Sequence, residues 1–222
     1  MHGPQRCIRP APGRTFVRME LPSRLLEAAV DRIASLPGIG RKTALRLALH
    51  LLRTDAERVH GLARALTEMR DGVRPCGECY AATEGPLCTV CADPARSAHL
   101  ICVVEDLRDL LAIEGIGTYR GRYHVLGGLI SPMDGVGPAD LHIAALEDRL
   151  AALPADGEPE VLFALPTTME GETTAYYVYR RIAGRVAKVT ALARGVAVGD
   201  DLQHADEATL AQSIRARIPY TP

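Results

Sequence analysis

Four cysteines close together constrain this chain more than any other feature of its sequence. Residues 76–91 read CGECYAATEGPLCTVC, in which two Cys-x-x-Cys pairs are separated by eight residues. Such pairs occur in disulfide clusters, in redox sites and in metal sites. The segment is too short to bury a hydrophobic core of its own, so in the metal interpretation the bound ion supplies its folding energy.

The residues favour a structural zinc site. Residues 1–18 carry four arginines and three prolines but no sustained apolar stretch, so they do not form a secretory signal and we expect a cytoplasmic protein. Disulfides are rare in the reducing cytosol, and a redox site needs only one Cys-x-x-Cys pair. Four thiolates complete the tetrahedral coordination of Zn²⁺ and leave no open position for catalysis. The predicted ligands are Cys76, Cys79, Cys88 and Cys91.

Composition limits the remaining possibilities. With 222 residues, of which 47% are apolar and 24% charged, the chain has room for one ordinary domain and small modules. Its apolar stretches fall well short of the ~20 residues that span a bilayer, so we expect no membrane segment. The formal net charge is −1. Binding to nucleic acid would therefore require basic residues clustered on one part of the surface.

Residues 21–52 predict two helices joined by a tight hairpin. The hairpin reads LPGIG: Pro37 ends the first helix, Gly38 and Gly40 can adopt backbone conformations closed to other residues, and Ile39 can point inward. The second helix begins at once, so its first-turn amides lie free beside a loop with little side-chain bulk. Such a helix start is suited to bind phosphate. The apolar face predicted for the first helix comprises Leu25, Leu26, Ala29, Ile33 and Leu36.

Basic residues follow this hairpin at helical spacing. Lys42 and Arg46 are four residues apart and so share one side of the second helix, while Arg41 lies at the edge of the loop. Basic side chains on an exposed helix face often have no role beyond contact with solvent. The preceding Gly-x-Gly turn favours a helix-hairpin-helix module instead, which binds the nucleic-acid backbone without recognising the base sequence.

From His99 onward, strand and helix patterns alternate, which predicts a parallel sheet covered by helices. Cys102, inside LICVV, is a predicted buried strand residue, whereas Cys7 is interpreted as a bystander in the N-terminal extension. Glu105 and Glu170 follow two of the strands, where ligand-binding groups gather in such sheets. Carboxylates there can hold Mg²⁺, but the absence of an Asp-x-Asp pair from the stretch after EVLFAL argues against Mg²⁺-dependent catalysis.

Taken in order along the chain, these motifs resemble the RecR family of bacterial recombination mediators. The resemblance extends from about Met19 to the C-terminus. It rests on LPGIGRKTALRLALHLL, the four-cysteine segment, ICVVED, GRYHVLGGLISPMDGVGPADLHI, TTMEGETTA and ARGVAVGDDLQHADEATL.

The resemblance implies an α/β chain built from several modules. These are an N-terminal helix-hairpin-helix, a four-cysteine zinc finger, a Toprim-type parallel sheet with flanking helices, and a C-terminal helical segment. The predicted boundaries are 1–18 for a flexible extension, 19–71 for the helix-hairpin-helix, 72–95 for the zinc finger, 96–195 for the Toprim domain and 196–222 for a C-terminal assembly segment.

The resemblance also implies a function. Family members are not enzymes; they form a homotetrameric ring or clamp around DNA. They act with RecO, and in many bacteria with RecF, to load RecA onto single-stranded gaps. Lys42 and Arg46 match the family's basic positions toward DNA, and Arg41, which stands where the family commonly has proline, adds a further phosphate contact. Glu105 matches the first Toprim acid, and Glu170 matches the acid of a stretch associated with RecO contact. We expect these two acids to form a surface that binds a basic partner.

Two other classes of function remain open from the sequence alone. One is a Toprim nuclease or primase-like enzyme that uses Mg²⁺ at Glu105. The other is an interaction hub that makes no contact with DNA. Magnesium-dependent chemistry on DNA would favour the first, and absence of DNA binding at low salt would favour the second.

Overall fold

In a computed structural model of the protein, the described residues are 21, 23–155, 157–193, 195 and 206–215. The chain divides into two compact units, residues 1–69 and 70–222. The predicted extension at 1–18 lies outside the described residues. The finer domain boundaries predicted from the sequence stay predictions.

The first unit is helical. Helix α1 spans Arg24–Ala34, α2 spans Arg41–Arg53, and α3 begins at Ala56 and continues past the unit boundary to Gly72. Ser23 caps α1, because its side chain accepts a hydrogen bond from the Leu26 amide at 3.4 Å. The small core consists of Val30, Ala44 and Ala48, with Leu26, Ile33 and Ile39 packed against it.

The predicted apolar face of α1 was partly wrong. Val30 is fully buried, whereas Leu25 is 85% exposed and Leu36 is 53% exposed. Leu26, Val30 and Ile33 are spaced by four and three residues and therefore share one side of the helix. Leu25 lies about 100° away from Leu26 around the axis, which turns it toward solvent.

The second unit is built on a four-stranded parallel sheet, which confirms the predicted α/β class. The strands are β3 Ser97–Val104, β4 Gly121–Val125, β5 Glu160–Ala164 and β6 Lys188–Ala191. Their order across the sheet is β4-β3-β5-β6. The flanking helices are α5 Leu107–Ile116, α6 Ile143–Ala151 and α7 Met169–Ile182.

The cysteine segment folds against one face of this sheet. It comprises the hairpin β1 Arg74–Pro75 and β2 Ala82–Thr83 and the short helix α4 Thr89–Ala92. Side chains alternate along β3, so Ile101 and Val103 belong to one hydrophobic cluster, while Cys102 and Val104 belong to another that includes all four clustered cysteines. The predicted burial of Cys102 is confirmed at 0% exposure.

The last described helix, α8, spans Glu207–Arg215. It lies within the predicted assembly segment 196–222, of which residues 196–205 and 216–222 fall outside the described part of the chain. The contact between subunits predicted for this segment stays a prediction. Among the described residues, no helix combines the length and apolar character that crossing a membrane requires.

Candidate metal centre and nucleic-acid interface

The four clustered cysteines converge on one point. Their Sγ atoms all lie within 4.8 Å of one another. All four side chains are buried, with exposures between 1% and 8%. The first Cys-x-x-Cys pair lies in the turn after β1; Cys88 is the N-cap of α4, and Cys91 lies within that helix. Within the described residues this is the one group of cysteine, histidine and acidic side chains arranged to hold a metal ion.

Backbone hydrogen bonds hold the two turns in place. The Cys76 amide donates to the Ala81 carbonyl at 2.7 Å, and the Gly77 amide donates to the Pro86 carbonyl at 2.9 Å. Two further amides donate to sulfur: Cys88 N to Cys76 Sγ at 3.3 Å and Cys91 N to Cys88 Sγ at 3.4 Å. Amide donors on sulfur stabilise thiolates, which are the form that binds a metal.

The thiols differ in how readily they lose a proton. Burial opposes ionisation of Cys76, but backbone hydrogen bonds from Cys79, Cys88 and Glu78 outweigh it and lower its pKa to about 7. A hydrogen bond with Cys79, together with burial, raises the pKa of Cys91. A metal ion that takes all four sulfurs must therefore displace at least the Cys91 proton. All five described cysteines are free of disulfides, and four convergent thiols are the donor set that fits a structural tetrahedral site.

Sequence reasoning missed the residues that join this centre to the sheet. The Val125 amide of β4 donates to the Cys79 carbonyl at 2.8 Å. Tyr80 has a positive φ of 63°, and its ring stacks on His142 with 3.9 Å between ring centroids. Glu78 pairs with Arg122 at 3.0 Å. The partners come from distant parts of the chain, so no local spacing indicates these contacts.

The helix-hairpin-helix turn forms much as predicted. Gly38 has φ of +76°, a conformation that favours glycine, and Ile39 packs on the small core. The prediction for Gly40 was wrong: its φ of −76° and ψ of 158° are open to any residue. No atom lies within 4 Å of the position that a Cβ would take, so a side chain would also have room there. The start of α2 also has no side-chain cap, which leaves its first amides accessible.

The three predicted basic residues have different surroundings. Lys42 and Arg46 are exposed, and neither forms an ion pair within the described part of the chain. Arg41 pairs with Asp31 and, at 3.4 Å, with Glu27, both on α1. Arg41 therefore ties α1 to the start of α2, and a phosphate contact from it would require these pairs to open.

The two predicted sheet acids follow the neighbouring strands β3 and β5. Burial, and then the charges of Asp109 and Asp106, raise the pKa of Glu105. Asp106 caps α5, accepting from the Arg108 amide at 2.7 Å, and it also pairs with the Arg108 guanidinium. Glu170 is exposed in the first turn of α7. The structure thus brings one partly buried acid and one exposed acid to the same edge of the sheet.

An open groove of about 720 Å³ lies between α7 and β6; Glu172 lines it, whereas Glu170 does not. Its walls combine apolar and aromatic side chains, and several of them are exposed although they are large. The lining includes Phe163, Leu165, Glu172, Tyr176, Tyr179 and Leu192. Such a groove can receive an apolar side chain while the nearby acids attract a basic one.

Comparisons with known proteins agree with this architecture. Family models match for the RecR helix-hairpin-helix at residues 26–70, the Toprim domain at 99–193 and the RecR C-terminal region at 195–218. The recombination protein RecR of Porphyromonas gingivalis is 49% identical over 200 residues, covering 90% of this chain and 95% of that relative. The recombination protein RecR of Parabacteroides distasonis is 48% identical over 200 residues, covering 90% of this chain and 94% of that relative. That of Flavobacterium johnsoniae is 46% identical over 202 residues, covering 91% of this chain and 97% of that relative. The chain therefore belongs to the RecR family of recombination proteins.

Proposed function

We propose that this protein is a DNA-binding recombination mediator in recombinational repair, acting in the cytoplasm at the nucleoid. In this role it works with RecO, and with RecF in bacteria that have it, to load RecA onto gapped single-stranded DNA. It contacts the DNA backbone without sequence specificity and acts without catalysing a reaction. The observation that carries the proposal is the exposure of Lys42 and Arg46, which form no ion pair with any described residue, beside the uncapped start of α2.

These two cations account for non-specific binding. Their charges are available to phosphate, in contrast to that of Arg41, which α1 already neutralises. Each phosphate neutralised releases counterions, so affinity falls steeply with salt. Contacts from several subunits combine through effective concentration, which makes a ring bind far more tightly than one chain.

Replacing Lys42 and Arg46 by alanine tests this assignment. We expect affinity to fall on every DNA sequence alike, and the slope of log affinity against log salt to flatten by about 0.7 to 0.9 per lost contact. The matched control is the double alanine variant of Arg120 and Arg180, two exposed cations of the second unit that are not part of α3. Fluorescence anisotropy at several salt concentrations gives both quantities. An unchanged slope in the hairpin variant, or an equal loss in the control, removes the hairpin from the mechanism.

We further propose that the metal is Zn²⁺ and that its role is structural. The buried four-thiolate set supports this assignment, because it offers no open coordination position. Elemental analysis of the purified protein should find about one zinc ion per chain, and Cys88→Ser should lose it together with stability. Cys102→Ser is the matched control, since Cys102 is equally buried but lies outside the ligand set. Retention of zinc by the Cys88 variant would contradict the assignment.

We propose a homotetramer that closes around DNA. Helix α3 has no buried residue, and Leu62, Leu66 and Met69 are 47%, 55% and 57% exposed. An apolar row of this kind is typical of a surface that a second subunit covers. Native mass spectrometry with and without DNA measures the assembly directly. A protein that stays monomeric at micromolar concentration would refute the ring.

We propose that Glu170, in the first turn of α7, and the groove lined by that helix contact RecO. An exposed acid attracts a basic partner and orients it. Glu170→Lys should weaken the RecO complex and leave DNA affinity unchanged, while the same change at the exposed Glu158 should affect neither. Equal RecO affinity in both variants would exclude this acid as a contact.

A further inference from the structure

The metal centre carries a charge that its ligands alone do not balance. Four thiolates around a divalent cation leave two net negative charges, and the four side chains here are at most 8% exposed. Burying net charge is costly unless donors or opposite charges compensate it. The amides of Cys88 and Cys91 point at sulfur and supply part of this compensation.

One buried guanidinium lies close enough to supply more. Arg149, on α6, has a side chain only 11% exposed. Its Nη1 donates to the Tyr123 carbonyl at 2.6 Å, whereas its Nη2 is buried without a hydrogen-bond partner among the described atoms. Tyr123 packs in the same hydrophobic cluster as the four cysteines, and Nη2 of Arg149 lies 3.8 Å from Oε2 of Glu78, which stands between the ligands Cys76 and Cys79. The guanidinium of Arg149 therefore lies beside the ligand cluster.

The acids around Arg149 do not fully neutralise it. Arg122 and Arg149 share a single carboxylate oxygen, Glu78 Oε2, at 3.0 and 3.8 Å. Asp148 lines a cavity together with Glu78, Arg122 and Arg149, but its side chain is exposed, so solvent screens its charge. Glu78 lies between the ligands Cys76 and Cys79, so the two guanidiniums face the first Cys-x-x-Cys turn. Two largely buried cations, with side chains 19% and 11% exposed, thus share one carboxylate beside the site.

We propose that Arg149 stabilises the metal-loaded centre by its charge, as a positioning residue that is not itself a ligand. The inference rests on the proposed zinc site. It assigns to α6, an element of the sheet domain, a role in retaining a metal held by the cysteine segment. Loss of such supporting interactions typically costs 10–100-fold in metal affinity.

The test separates charge from packing with three variants. Arg149→Gln removes the charge, Arg149→Lys keeps it, and Glu78→Gln removes the competing anion while both arginines remain. The zinc content of each protein is measured first, and release of zinc to an excess of a chromogenic chelator is then timed. We expect release about 10-fold faster for Arg149→Gln, close to wild type for Arg149→Lys and no faster than wild type for Glu78→Gln.

The outcomes distinguish this inference from the zinc proposal. A wild-type protein without zinc would overturn the metal assignment itself. With zinc present, equal release from Arg149→Gln and wild type would overturn the charge role. Equally fast release from the lysine and glutamine variants would assign the effect to the Tyr123 hydrogen bond, which also overturns it. Should Arg149→Gln fail to fold, Glu78→Gln still decides, because faster release from it contradicts charge compensation.

Discussion

Gly171 is the position where the structure sets the clearest limit on substitution. It lies in the first turn of α7, where its amide donates to the side chain of the N-cap Thr168 at 3.2 Å. A Cβ there would lie 1.9 Å from the carbonyl oxygen of Pro166 and 2.8 Å from its carbonyl carbon. Both are backbone atoms of the connection from β5, so no side-chain rotation can relieve the clash.

The expected cost of Gly171→Ala follows from these distances. Overpacking a well-packed site costs about 1–3 kcal/mol, and a clash with backbone belongs at the upper end of that range. Alanine returns about 1 kcal/mol through its higher helix propensity. We therefore expect a net loss of about 2 kcal/mol in the free energy of unfolding. The start of α7 must also shift, and Glu170 shifts with it.

Urea denaturation of the metal-loaded protein measures this loss. Gly115→Ala is the matched control, because Gly115 also lies within a helix, α5, but no atom lies within 4 Å of its Cβ position. That variant should be about as stable as wild type or up to about 1 kcal/mol more stable. If the two variants unfold at the same urea concentration, the close approach of Pro166 does not constrain this turn.

Three further changes test other parts of the structure. Burial lowers the pKa of His124 from its ordinary 6.5 to about 4. Its neutral form therefore contributes roughly 3 kcal/mol to the free energy of unfolding above pH 6.5, and this contribution is lost as pH falls toward 4. The stability of wild type should decline across that window, and that of His124→Gln should decline less in the same urea titrations. Arg181→Ala leaves the buried Glu147 carboxylate with only Arg185, at 3.5 Å, and should therefore lower the urea midpoint more than Lys188→Ala, which unpairs the partly exposed Glu160. Gly38→Ala forces alanine to φ of +76° and should lower the melting temperature by an amount equivalent to about 1–2 kcal/mol; an unchanged melting temperature would show that the hairpin adapts.

The sequence predicts features whose signals are local. The four ligands lie within sixteen residues, and the Gly38 turn and the cations after it lie within a few residues of each other. Alternating strand and helix patterns likewise predict the parallel sheet. In each case the period of the pattern matches the geometry of one element or turn.

Contacts between distant segments were not predictable in this way. Glu78 meets Arg122 and Arg149, and nothing in the spacing of these residues indicates the meeting. The exposure of Leu25 depends on which side of α1 finds a partner, and this is decided by packing against α2. Gly40 shows a third limit, since its backbone conformation is open to any residue and a side chain would have room, so the described structure does not require glycine there.

The hydrogen bond from Val125 to the Cys79 carbonyl has a consequence for biosynthesis. The cysteine turns are translated first, yet their packing surface on β3 and β4 leaves the ribosome later. We expect the thiols of a nascent chain that ends before Val125 to react readily with alkylating reagents and with cellular oxidants. Labelling of ribosome-stalled chains of increasing length, translated without added metal, would show protection of the thiols appearing only once β4 has emerged.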